Sequence, residues 1–99
     1  MSNQIATVIR DQILAGGRMK VMSWGANKWT AGENFLRFKV QGHHFKGYVK
    51  VTLTSMDDYT IQFISTHGNI KKEIKGMFFD QLTEVIDNYV EYVPNYKNN

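Results

Sequence analysis

Read as β-strands, residues 35–75 place six basic side chains on one face: Arg37, Lys39, Lys46, Lys50, Lys71 and Lys75. Phe35 and Tyr48 share that face, with Thr52, Gln62 and Ile64 between them, and Glu73 is its one carboxylate. Lysine and arginine meet phosphates, and aromatic rings stack on bases, so such a face can hold single-stranded nucleic acid. The candidate nucleic-acid-binding set is Phe35, Arg37, Lys39, Lys46, Tyr48 and Lys50. The competing reading is a solvated sheet face whose rings only pair across strands. No RNP-type aromatic motif accompanies the basic residues.

A second candidate is Trp24 with Trp29, which flank Gly25-Ala26-Asn27-Lys28. Tryptophan is frequent at protein-binding hot spots. It is as often a core residue, and one of the two is expected to be buried. Asp80, Glu84, Asp87 and Glu91 form an acidic helical stripe that could meet a basic partner, although a solvated helix face accounts for it more simply.

Other chemistry finds little support. His43, His44 and His67 fall in two turns at one end of a meander. At about 4.8 Å per strand those turns lie roughly 10 Å apart, too far to share a zinc ion. Glu33, Asp57 and Asp58 fall in loops at the other end, towards Asp80, without the spacing of a calcium loop. Aspartate in a turn more often bonds its own backbone. The chain has no cysteine, nucleophile elbow, phosphate loop or His-Glu-x-x-His pattern. A non-enzyme without metal or cofactor is expected.

The elements that must position these residues follow from hydrophobic period. Ninety-nine residues suit one domain, here 1–94 with a tail at 95–99. An apolar fraction of 42% with six Phe, five Tyr and two Trp excludes a disordered chain. Net charge is +3 at a pI of about 9.2, mildly basic and compatible with nucleic acid. No apolar run approaches the roughly 20 residues of a membrane span, and no signal peptide is expected. The lack of cysteine fits a reducing compartment.

Ile5, Val8, Ile9 and Ile13 predict a helix over 3–15, capped by Ser2 or Asn3 and stopped by Gly16-Gly17. Residues 18–24 are expected as a first strand, with Met22 breaking its alternation. Residues 25–34 are expected as a loop in which 28–30 can pair as a short strand. Three strands then follow: Leu36, Phe38 and Val40; Val49, Val51 and Leu53; Tyr59, Ile61 and Phe63 mark their apolar faces. A lysine-rich edge strand over 70–75 puts Ile70 and Ile74 on one side. Phe78, Leu82, Val85, Ile86, Tyr89, Val90 and Val93 predict a final helix over 78–93, ended by Pro94. The expected fold is a two-layer α+β domain of order α-β-β-β-β-β-α. An antiparallel meander of about five strands carries both terminal helices on one face.

The stretches QILAGGRMKVMSWGANKW, FKGYVKVTLTSMDDYTIQF and FFDQLTEVIDNYVEYV together resemble a family of small uncharacterised bacterial proteins associated with phages and other mobile elements. The shared features are Gly16-Gly17, Gly25-Ala26, the valine-rich run 49–53, Asp57-Asp58-Tyr59 and Phe79-Asp80-Gln81-Leu82. They are structural punctuation and bring no activity with them. The resemblance implies an intracellular bacterial or phage setting, where small proteins bind host factors or nucleic acid. The leading expectation is thus a cytoplasmic, non-catalytic accessory protein acting through contacts with a protein partner or a second copy of itself. Nucleic-acid binding at the basic face is the alternative, and no membrane is involved.

Overall fold

The computed structural model describes residues 4–42 and 44–91. Its elements are α1 (Gln4–Gly16), α2 (Arg18–Ser23), β1 (Asn27–Ala31), β2 (Phe35–Gln41), β3 (Lys46–Leu53), β4 (Tyr59–Ile64), β5 (Ile70–Met77), a 3-10 turn (Phe79–Gln81) and α3 (Leu82–Val90). The five strands form one antiparallel sheet in the order β1-β2-β3-β4-β5. The α+β architecture and the helices at both ends are those expected from the hydrophobic pattern. The proposed cap at Ser2 or Asn3, His43, Val93, Pro94 and the 95–99 tail lie outside the described residues.

The core is built where three strands alternate without a break. Leu36 and Phe38 lie opposite Val51 and Val49, which lie opposite Ile61 and Phe63, with Val40 opposite Gly47 on the same face, and all seven apolar side chains are buried. The helices close this face. Ala6, Ile9 and Ile13 of α1 and Leu82, Ile86 and Val90 of α3 are buried against it. Val8, expected on the apolar stripe of α1, is 44% exposed instead, because the buried stripe runs through Ala6.

Residues 18–24 are the principal correction. Arg18–Ser23 form the helix α2, with Trp24 at its C-cap, and no strand. Val21 and Trp24 are three residues apart and both buried, while Met19 and Met22 are exposed. That is a one-turn helical pattern, and the break in alternation at Met22 was its trace. The fifth strand is β1, which lies within the expected loop and includes 28–30.

Helix ends are satisfied by tertiary contacts. The Gly42 turn sits against α3, where a methyl group on Gly42 would run into the Val90 carbonyl. The amides of His44 and Phe45 donate to that carbonyl at 2.9 and 3.2 Å, and His44 Nδ1 lies 2.8 Å from the Tyr89 carbonyl oxygen. The open carbonyls of a helix C-terminus thus find donors in the β2–β3 turn. At the other end of α3, the Phe78 amide donates to Gln81 Oε1 at 3.0 Å, one arm of a capping box.

The sheet edges are less covered than its centre. Every residue of β1 is exposed, and only Ile74 and Met77 of β5 are partly buried. Ile70 and Ile74 do not share a face as expected. The register shifts between Phe63 and Ile64, so Ile70 pairs with Ile64 while Ile74 pairs with Ile61. A bulge of this kind moves later side chains to the other face.

Candidate nucleic-acid interface

The candidate site is the face of β2 and β3 turned away from the helices. Its register is fixed by the paired strands: Phe35 lies opposite Thr52, Arg37 opposite Lys50, Lys39 opposite Tyr48, and Gln41 opposite Lys46. All six candidate residues therefore lie on one continuous face. Thr30 extends the Arg37 row to β1, and Gln62 and Glu73 extend it to β5.

Two features organise this face. First, Arg37 and Lys50 are like charges directly opposite one another, an arrangement that destabilises a sheet. Second, they diverge along diagonals. The Arg37 guanidinium carbon lies 5.1 Å from the centre of the Tyr48 ring, and Lys50 Nζ lies 4.4 Å from that of Phe35. Each cation–π contact separates the two charges and restricts a long side chain. Phe35 is held from below as well: a Cβ on Gly32 would strike its ring, with Cζ 2.5 Å away. A larger residue at that turn position would have to displace the ring.

Among the described residues, Arg37, Lys39, Lys46 and Lys50 make no ion pair. Glu73 is two strands away from Lys50, accepts from Gln62 Nε2 at 2.9 Å and lies 4.0 Å from Lys75. Lys71 falls at the β5 bulge, between Ile70 and Lys72, which pair with Ile64 and Phe63. It is therefore not a regular member of the basic face. A polyanion laid on β2–β3 would meet unneutralised cations whose positions are already restrained.

The two tryptophans separate. Trp24 is fully buried and stacks on Phe38 at 6.2 Å, and its Nε1–H donates to Asp87 Oδ1 at 2.9 Å. It offers no surface to a partner, which corrects its placement in a binding pair. The cause is the helix α2, which directs Trp24 inward with Val21. Trp29 is 37% exposed on β1, with its ring stacked 4.6 Å from that of Phe38. The acidic stripe divides too: Asp87 serves Trp24, while Asp80 and Glu84 are exposed.

The loop carboxylates act locally. Asp58 Oδ1 accepts from the Thr54 hydroxyl at 2.6 Å, and Asp57 takes a positive φ of 64° in the same turn. Among the described residues no three His, Asp or Glu side chains gather as metal ligands, and no helix is long and apolar enough to cross a membrane. Sequence reading missed the pocket between α1 and β1, about 180 Å³, lined by Ala6, Thr7, Arg10, Trp29, Ala31 and Leu36. Only the pairing of β1 with β2 brings these residues together. Comparison with protein-family models, curated proteins and solved structures finds no match, so the reading of this face rests on its own residues.

Proposed function

We propose that the protein is a non-catalytic binding module whose open β2–β3 face engages single-stranded nucleic acid. The observation that supports this most directly is the Arg37–Lys50 pair: two like charges opposed at the centre of a sheet, flanked by Lys39 and Lys46, none of the four making an ion pair among the described residues. Phosphates would relieve that repulsion. The guanidinium plane of Arg37, backed by the Tyr48 ring, supplies a surface for a base to stack upon. The setting we infer is cytoplasmic, in a bacterial host or mobile element, supported by the resemblance of the Gly16-Gly17, Gly25-Ala26 and Phe79-Asp80-Gln81-Leu82 motifs.

The test is binding to labelled single-stranded DNA and RNA across a salt series. Four phosphate contacts to a single strand give a log–log slope of about −3. Reversing Arg37, Lys39 and Lys50 to glutamate should abolish binding, and binding that survives the triple reversal would refute this site. Contact with a protein partner is the second reading. Trp29 favours it, being a large ring left partly open on an edge strand.

A further inference from the structure

The pocket beside Trp29 lies at an unusual place, between a helix and the outermost strand of the sheet. Among the described residues β1 pairs only with β2, and no described strand lies along its other edge. The ladder shows which groups point outward. The Gly32 amide donates to the Phe35 carbonyl, and Thr30 and Ala31 pair with Arg37 and Leu36. Antiparallel pairing alternates inward and outward backbone groups, so Thr30 turns inward and Ala31 turns its N–H and C=O out.

The two edges of the sheet are not guarded alike. β5 carries Lys71, Lys72 and Lys75 with two register shifts, the usual protection against strand pairing. β1 carries one lysine, Lys28, at a single bulge with a φ of 56°, and its last residues run regularly along β2. β1 is therefore the edge that can accept another strand.

The side chains around that edge specify what the strand would carry. Trp29, Ala31 and Leu36 meet Ala6, Thr7 and Arg10 of α1 around a cavity of about 180 Å³. Ala6 and Leu36 are buried and form an apolar floor, and this volume suits one aliphatic side chain. Arg10 is exposed at the rim and makes no ion pair among the described residues. It stands one helical turn from Ala6, about 6 Å along the axis. Residues two apart on a strand share a face and are separated by about 6.8 Å. Arg10 lines the same pocket, so an added strand with an aliphatic residue there would carry its next same-face side chain to the rim, where a carboxylate is complementary to the guanidinium.

We propose that the open edge of β1 is a strand-addition site for an extended segment of a partner protein bearing an aliphatic-x-acidic pattern. Its backbone pairs with the outward groups of β1, its aliphatic side chain fills the pocket under Trp29, and its carboxylate meets Arg10. The site is separate from the basic face, and neither depends on the other.

The experiment titrates the full-length 15N-labelled protein with a blocked heptapeptide, Thr-Val-Thr-Leu-Thr-Glu-Thr, and follows amide shifts. Saturable shifts in β1 and the first half of α1 are expected, with those of Arg37 to Lys50 little changed. Arg10→Glu, on an exposed helix surface, should weaken binding by about five- to tenfold. A peptide with lysine in place of its glutamate should then bind Arg10→Glu better than the original does. Ala31→Pro, which removes the outward amide from an edge position, should abolish binding of both peptides. The proposal is overturned by no binding at millimolar peptide, by shifts centred on the basic face, or by equal binding of both peptides to both proteins. A concentration-dependent dimer in sedimentation whose formation Ala31→Pro prevents would also overturn it, since the occupant would then be a second copy of the chain.

Discussion

Trp24 and Tyr59 are polar-tipped aromatic residues whose tips must find partners inside the fold. The Trp24 indole N–H reaches Asp87 across 63 residues of sequence. Truncating Asp87 to alanine strands that donor in the core. Urea denaturation should show a loss of about 1–3 kcal/mol, typical of an unsatisfied buried group. Tyr59 is 7% exposed, and its hydroxyl donates to Gln12 Oε1 at 3.0 Å. Burial raises the Tyr59 pKa. The folded state therefore holds the phenolic proton more tightly than the unfolded chain, where the pKa is about 10. This contribution is fully present below pH 10 and is lost as pH rises through the higher folded value. Thermal melts above pH 10 should fall more steeply for the wild type than for Tyr59→Phe.

Between elements, the close approach of α1 and α3 depends on one missing side chain. Gly16 ends α1 where a Cβ would lie 2.7 Å from the Cβ of Thr83. Thr83 is itself 4% exposed and anchored, its hydroxyl donating to the Ile13 carbonyl at 2.6 Å. Glycine to alanine ordinarily favours a helix by up to about 1 kcal/mol. Here overpacking should win, and Gly16→Ala is expected to destabilise by about 1–3 kcal/mol. Thr83→Ala removes the nearer hydroxyl but keeps the Cβ, so the double variant should lose somewhat less than the sum of the singles in denaturant titrations. Within the sheet, Lys50→Glu replaces repulsion from Arg37 by attraction. It should leave the melting temperature unchanged or higher while weakening nucleic-acid binding, and a melting temperature that drops sharply would argue that the Lys50–Phe35 contact is chiefly structural.

At the level of the whole molecule, charge and exposure are distributed by layer. The helices cover one sheet face, the basic residues of β2 and β3 occupy the other, and the lysine-rich β5 closes one side. This arrangement makes the β5 lysines a solubility device. Lys72 is exposed opposite Phe63, on the face that carries the core. Replacing Lys71 and Lys72 by valine would give an apolar, β-prone edge. Light scattering on heating should then show aggregation at a lower temperature than for the wild type, with the isolated fold unchanged by circular dichroism.

The periodicity of the chain determined α1, the β2–β3–β4 meander and α3. In those segments each buried face is written in adjacent residues, and the same alternation placed Phe35, Arg37, Lys39, Lys46, Tyr48 and Lys50 on one face. Residues 18–24 were ambiguous because a single helical turn and a short strand differ by only one or two positions. The packing of Val21 and Trp24 against the core decided for the helix. The two faces of β5 depended on a bulge opposite Ile64, whose register is set by the neighbouring strand. The opposition of Arg37 to Lys50, the separation of Trp24 from Trp29, and the pocket between Arg10 and Ala31 were likewise decided only by tertiary structure. Each joins residues from different elements, and their distances exist only once the sheet has formed.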